Sequence, residues 1–459
     1  MYNHIKLLTG TLLLLATAPV TMYAQQGKPV EVQVTPYKTT MLANGTDETL
    51  ITVKIIDGKG NNVAGIKRPV TYKVIGDAAI ISINDANAKS LRKTDTTWQT
   101  NLTGTARVIL RAGTKLAHIK FEAKVDSLYP GSTEIHTVKP GKAHKVTSDI
   151  YTAKTTTDKI LGADISFLPE LEAKGIKFTN HGIEKDAITI LKEHGFNYIR
   201  LRIFNNPAQP KGYSPGKGFC DLAHTKQMAK RVKAVGMKLL LDFHYSDYWA
   251  DPQQQYKPAA WEGRDFAALT DSVQAFTTMV MQQLKDQGTT PDMVQVGNEI
   301  NHGMIWPDGQ INNLDSLSQL LYAGVKGVKA VSPSSLIMIH VALGGQAAES
   351  EFFYDAMRDR NVPYDIIGLS YYPKWHGNLA DLKGNLAGLS KKYNKQIMVA
   401  EYTHLKREVN DLAFNVPGGK GIGSFIWEPL STWEAIFDHT GKANELLDVY
   451  PGIAEKYLK

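Results

Sequence analysis

Met293-Val294-Gln295-Val296-Gly297-Asn298-Glu299 is a short apolar run that ends in a glycine and two residues suited to chemistry rather than packing. The same form recurs on both sides of it. Before it, Leu239-Leu240-Leu241 runs into Asp242-Phe243-His244-Tyr245, and after it Ile366-Ile367-Gly368-Leu369 runs into Ser370-Tyr371-Tyr372-Pro373. From about residue 160 to the end the pattern predicts eight such strands, over 162–167, 198–204, 238–245, 293–298, 336–342, 366–371, 396–401 and 421–427. Helical stretches of about 10–20 residues separate most of them, which argues for parallel βαβ units. Eight units in this length predict an α/β protein of the closed (β/α)8 barrel type rather than an open sheet. No glycine-rich phosphate loop follows the first strand, so nucleotide binding is not expected. The seventh unit is tight. Only about twenty residues, with Pro417-Gly418-Gly419 among them, separate Glu401 from the last strand, so its helix must be short.

In such a barrel the C-terminal strand ends face one pocket. They carry Asp164 on strand one, Arg200 and Arg202 on one face of strand two, and His244 with Asp247 after strand three. Asn298-Glu299 ends strand four, Tyr371 strand six, Glu401 strand seven and Trp427 strand eight. Two carboxyls placed across one pocket suit glycosidic cleavage, in which one protonates the leaving oxygen and the other attacks the anomeric carbon. Glu299 is read as the proton donor and Glu401 as the nucleophile. Asn298 is placed to hold a sugar 2-hydroxyl, and Arg200 or Arg202 to keep Glu401 ionised. Trp249, Trp261, Trp306, Trp375 and Trp427 fall in or beside the strand-end loops, where flat aromatic faces can carry pyranose rings. His244, Asp247, Asp251 and His302 lie nearby, but no HExxH or HxH pair accompanies them, and no metal is assigned.

The first 24 residues have the form of a signal peptide: Lys6, an apolar run over 7–20, and small Ala24 before the cut. The run is short for a membrane span, no later segment is long enough for one, and no cysteine is present for a lipid anchor. The alternative is an uncleaved anchor. Export predicts a periplasmic or extracellular protein. The single cysteine, Cys220, excludes an internal disulfide. The formal charge of +7 is spread along the chain without a basic run, which gives no footprint for nucleic acid. Residues 25–140 show alternating runs such as Ile51, Val53 and Ile55, with polar turns about every 10 residues, the pattern of an all-β sandwich. Met41-Leu42-Ala43-Asn44-Gly45-Thr46-Asp47 and Asp57-Gly58-Lys59-Gly60 resemble bacterial immunoglobulin-like domains. This module is read as a spacer or stabilising module, with carbohydrate binding as the alternative. Residues 141–159 are read as a linker and 160–459 as the catalytic barrel.

Several stretches of the barrel carry a more specific likeness. They are Gly162-Ala163-Asp164-Ile165-Ser166, the run Ile190-Leu191-Lys192-Glu193-His194-Gly195-Phe196-Asn197-Tyr198-Ile199-Arg200-Leu201-Arg202, Phe243-His244-Tyr245-Ser246-Asp247-Tyr248-Trp249-Ala250-Asp251-Pro252, and Val294-Gln295-Val296-Gly297-Asn298-Glu299-Ile300-Asn301-His302-Gly303-Met304-Ile305-Trp306-Pro307. With these the chain resembles glycoside hydrolase family 53, the arabinogalactan endo-β-1,4-galactanases. The resemblance implies internal, configuration-retaining cleavage of β-1,4-galactan in pectin side chains. By motif it makes Glu299 the acid/base and Glu401 the nucleophile. It puts Arg200, Arg202, His244, Asp247, Trp249, Asn298 and Trp427 on the family's strand-end positions. Two features depart from the family. Tyr402-Thr403-His404-Leu405 replaces its usual residues after the nucleophile. Trp427-Glu428-Pro429 reaches Ile436-Phe437-Asp438 too soon for the long final loop that binds calcium in some members. No cofactor is therefore expected, and the expected partner is the polysaccharide alone, acted on by a monomer. Mannan, xylan or β-glucan as substrate, and a non-catalytic glycan-binding barrel, remain as alternatives.

Overall fold

The computed structural model describes residues 27–58, 60–63, 67–84, 86–87, 92–94, 97–103, 105–149 and 151–459. The leader expected over 1–24 and Lys59 of the first turn lie outside the described residues.

The N-terminal region is a two-sheet sandwich. Strands Pro29–Pro36, Glu48–Asp57, Thr105–Ala112, Ala78–Ile83 and Ala86–Asn87 form one sheet. Thr40–Leu42, Gly131–Val138, His118–Lys124, Lys67–Ile75, Thr97–Thr103 and Arg92–Thr94 form the other. The alternation read in the sequence drives this layering. Ile51, Val53 and Ile55 are fully buried, and Ile51 and Val53 lie opposite Val108 and Ala106 in an antiparallel ladder.

The second region is a closed barrel of eight strands in sequence order: Ile160–Asp164, Tyr198–Ile203, Lys238–Phe243, Met293–Val296, Leu336–Val341, Ile366–Tyr371, Gln396–Tyr402 and Gly421–Trp427. All neighbours pair in parallel. Helices open on side-chain caps. Asp221, Asp265 and Asn313 accept backbone N–H groups of the first turns of Leu222–Ala234, Phe266–Asp286 and Leu314–Val331. The seventh-unit helix, Lys406–Phe414, has 9 residues against 21 in the fourth-strand approach helix Phe266–Asp286, as the tight spacing requires.

The barrel interior is layered. Ile160, Leu240, Met293, Met338, Ile366, Met398 and Phe425 fill its lower part. Two residues further along strands three, four and five the inward position turns polar, giving Asp242, Gln295 and His340, and on strand six Ser370 lies four on from Ile366. Gly162 makes room for Phe425, whose ring would lie 2.2 Å from a Cβ placed there. Strand seven breaks the alternation. Leu369 pairs with Val399, but Ser370 pairs with Glu401, so one residue is bulged between them. The extra residue turns Glu401 inward, three positions after inward Met398.

The described residues of the linker have no regular structure but are not free. The Val146 N–H donates to the Arg360 carbonyl (2.9 Å), Tyr151 and the Lys154 N–H bond the Asp365 carboxylate, and Thr156 exchanges two hydrogen bonds with Gln396. Asp365 and Gln396 sit at the starts of strands six and seven, the end of the barrel away from the pocket. The module itself docks beside the pocket. Buried Glu349, near the start of Ala347–Asp359, accepts the N–H groups of Thr39 and Thr40 and the Thr40 hydroxyl. Among the described residues, no helix is long and apolar enough to cross a membrane.

Candidate active site

Arg200 organises the pocket. Its guanidinium has five N–H donors, and the structure supplies five acceptors. Nε meets Gln295 Oε1 (3.1 Å), one terminal nitrogen meets Asp164 Oδ2 and Glu401 Oε1 (both 2.8 Å), and the other meets Asp242 Oδ2 and Asn298 Oδ1 (both 2.8 Å). The side chain is 1% exposed. Three carboxylates therefore share one buried cation, and strands one, two, three, four and seven are fixed to each other through it.

Glu299 follows Gly297 and Asn298 out of strand four in a left-handed conformation, φ 48°. Its Oε1 lies 2.5 Å from Ser370 Oγ. Ser370 is also the ladder partner of Glu401, so the strand pairing that places Glu401 also places the hydroxyl that holds Glu299. Glu401 Oε2 accepts a hydrogen bond from the Tyr372 hydroxyl (3.2 Å). Burial raises both carboxyls above their ordinary range. At Glu299 the charge of Glu401 raises it further, whereas at Glu401 the touching Arg200 guanidinium pulls the other way. Glu299 therefore keeps its proton when Glu401 has lost its own.

Behind them lies a buried polar chain. His340 Nε2 is 2.8 Å from Ser370 Oγ, and its Nδ1 is 3.0 Å from Asn298 Oδ1 and 3.1 Å from Gln295 Nε2. Burial, then the charge of Arg200, holds His340 far below its ordinary value, so the ring is neutral. Asn298 Nδ2 donates one N–H to the Ala250 carbonyl (2.9 Å). His244 Nε2 donates to Asp242 (3.0 Å), while its Nδ1 accepts the Ala250 N–H (3.2 Å). Burial opposes the Asp242 charge, but Arg200 and then His244 hold that carboxylate below its ordinary value.

Asp164, Arg200, Arg202, His244, Trp249, Asn298, Glu299, Trp306, Trp375, Glu401 and Trp427 all line one cleft of about 2100 Å³. Trp249, Trp427, Trp433 and Trp375 form a continuous aromatic wall, with successive ring centroids 6.3, 5.3 and 6.1 Å apart. Trp306 stands apart from that wall, its indole N–H donating to the His302 carbonyl (3.1 Å).

Four expectations need correction. Arg202 does not serve Glu401. It pairs with Glu428 (2.6 Å) and lies against the Phe167 and Trp249 rings. Tyr371 is 1% exposed and donates to the Gly377 carbonyl, because inward Ser370 forces its neighbour outward. Asp247 lies outside the cleft lining and ties two loops by accepting the Asn206 and Ala259 N–H groups (both 2.8 Å). Trp261 is 5% exposed and packs on Phe276 in the core. Sequence reasoning quoted Ser370 and Tyr372 at the end of strand six without giving them a role, and it missed Trp433 in the cleft lining and His340 and Gln295 in the polar chain that, with Ser370, lies behind it. The signal for three of them was the strand alternation itself. Among the described residues, no group of three or more His, Cys, Asp or Glu side chains is gathered to hold a metal.

The profile of Glycosyl hydrolase family 53 matches residues 160–411, and that of Glycoside hydrolase family 2 C-terminal domain 5 matches residues 32–134. The endo-beta-1,4-galactanase of Bacillus subtilis is 33% identical over 65% of this chain and 67% of its own. A probable arabinogalactan endo-beta-1,4-galactanase A of Neosartorya fischeri is 32% identical over 62% of this chain and 88% of its own. The GH53 catalytic domain of Ignisphaera aggregans superposes with a TM-score of 0.60 at 32% identity, covering 68% of this chain and 99% of that domain. With a matching profile over most of the barrel, and relatives about a third identical along two thirds or more of their length, the chain belongs to glycosyl hydrolase family 53.

Proposed function

We propose that the chain is a retaining endo-β-1,4-galactanase, with Glu299 as acid/base and Glu401 as nucleophile. The observation that carries the assignment is the asymmetry of the two carboxyls: Arg200 touches Glu401, whereas Glu299 is held by the neutral Ser370 hydroxyl. Family membership and the galactanase names of the relatives support the substrate.

In the first half-reaction Glu299 gives its proton to the glycosidic oxygen as Glu401 attacks the anomeric carbon and the leaving chain departs. The glycosyl ester on Glu401 is then attacked by water, whose proton goes to Glu299, and Glu401 leaves as carboxylate. The second N–H of Asn298 Nδ2 is available to a sugar hydroxyl. Tyr372 and Arg200 hold the Glu401 oxygens in place before and after the ester forms.

With Glu299 ionised, Ser370 donates to it, His340 Nε2–H donates to Ser370, and Nδ1 accepts from Gln295. With Glu299 protonated, its O–H donates to the Ser370 oxygen. The long cleft, with aromatic faces beside Glu401 and Trp306 beyond Glu299, suits internal attack on a chain.

The test is product analysis on linear β-1,4-galactan. Mixed short oligosaccharides are expected early from the wild type, and none from Glu299→Gln or Glu401→Gln. An intact polymer, or cleavage of mannan, xylan or β-glucan in its place, would refute the assignment. Lys6 and the apolar run after it support action outside the cytoplasm after removal of residues 1–24. We take the enzyme to act as a metal-independent monomer. A chelator should leave the rate unchanged, and light scattering should give the mass of one chain.

A further inference from the structure

The cleft does not end at the barrel. Its lining continues from Glu299, His302 and Trp306 onto the sandwich module, along Gln33 and Thr35 of Pro29–Pro36 and Ser132 and Glu134 of Gly131–Val138. Thr35, Ser132 and Glu134 are exposed and Gln33 is half-buried. They present an amide, two hydroxyls and a carboxylate, the groups that bond sugar hydroxyls.

This wall is held in register with the catalytic centre. His302 lies three residues after Glu299. Its Nδ1–H donates to the Pro252 carbonyl (2.9 Å), so its Nε2 accepts the Thr39 hydroxyl (3.0 Å). The ring of His136 packs against it, tilted by 48°, at 4.8 Å between centroids. Glu349 clamps the same edge through three hydrogen bonds. Such a clamp fixes the distance between the module's wall and the carboxyls, as a chain-binding surface needs and a tethered spacer does not.

We infer that the module's wall is a polysaccharide-binding extension of the active-site cleft, which takes residues of the galactan chain beyond those held by the barrel. The inference rests on the galactanase reading for the identity of the sugar. A polymer then touches both domains, whereas a short oligosaccharide is held by the barrel alone.

The experiment compares kcat/KM on long linear β-1,4-galactan and on galactotetraose for the full-length enzyme. Thr35→Trp with Ser132→Trp obstructs the wall, and Gln33→Ala with Ser132→Ala removes its amide and one of its two hydroxyls. Losing one or two hydrogen bonds should lower kcat/KM on the polymer by about fivefold to tenfold, through KM, with galactotetraose unchanged. The tetraose rate also reports that the variants are folded. Unchanged polymer kinetics in both variants would overturn the inference. So would a loss shared equally by both substrates in the alanine pair. A wild type that cleaves neither substrate would instead refute the galactanase reading, and this extension with it.

Discussion

Arg200 has no unused donor, and that decides what its loss would do. Arg200→Met leaves Asp164, Asp242 and Glu401 buried around an apolar side chain. Breaking a buried ion pair from one side costs about 3–5 kcal/mol. Denaturant unfolding should show a loss of that order, together with a collapse of kcat. Ser370 offers a cleaner probe. Its hydroxyl favours the ionised form of Glu299. Ser370→Ala removes that help, so the carboxyl holds its proton to higher pH. Activity is lost as pH rises through the ionisation of Glu299, so the basic limb of kcat/KM should move upward. The acid limb, set by Glu401, should move less. At this scale the sequence was half legible. Glu299 and Glu401 stand out because a carboxyl ending an apolar strand has no packing role. Ser370, His340 and Gln295 are ordinary barrel residues until eight strands bring them together. Tyr371 was misplaced although the alternation that places Ser370 inward also places Tyr371 outward.

The eight strands were legible because each is a run of apolar residues bounded by polar ones. Their C-terminal limits were read too far in places, 167 against Asp164 and 245 against Phe243, since polar residues at strand ends are part of the pocket rather than of the ladder. The bulge between strands six and seven was not legible, because nothing in Met398-Val399-Ala400-Glu401 marks which residue is skipped. Strand one offers a test of interior packing. In Gly162→Ala the new methyl meets the Phe425 ring at 2.2 Å. The ring must move within a close-packed barrel, and overpacking of this kind costs about 1–3 kcal/mol. Thermal unfolding should show the loss. If Tm is unchanged, the interior is looser than the contact implies.

The two domains were legible as a change of period, from two to that of βα units, but their relation was not. Residues that join them are Thr39, Thr40, His136, His302 and Glu349, which are far apart in sequence and unremarkable in type. Because the interface is buried and hydrogen-bonded, the domains should unfold together, as one calorimetric transition. Glu349→Ala removes the acceptor of three module donors and should split that transition in two, the module melting first. A single transition in the variant would mean that Val138, packed in the barrel's apolar cluster, and the linker suffice to couple them.

The pinned linker bears on how the chain withstands proteases. Residues 141–159 are bound at Arg360, Asp365 and Gln396 on their barrel side, while the sandwich is held separately at Glu349 and His302. A cut between these two sets of anchors severs the chain without releasing either piece. The nicked protein should run as two bands under denaturing conditions, elute as one particle under native ones, and keep its catalytic rate.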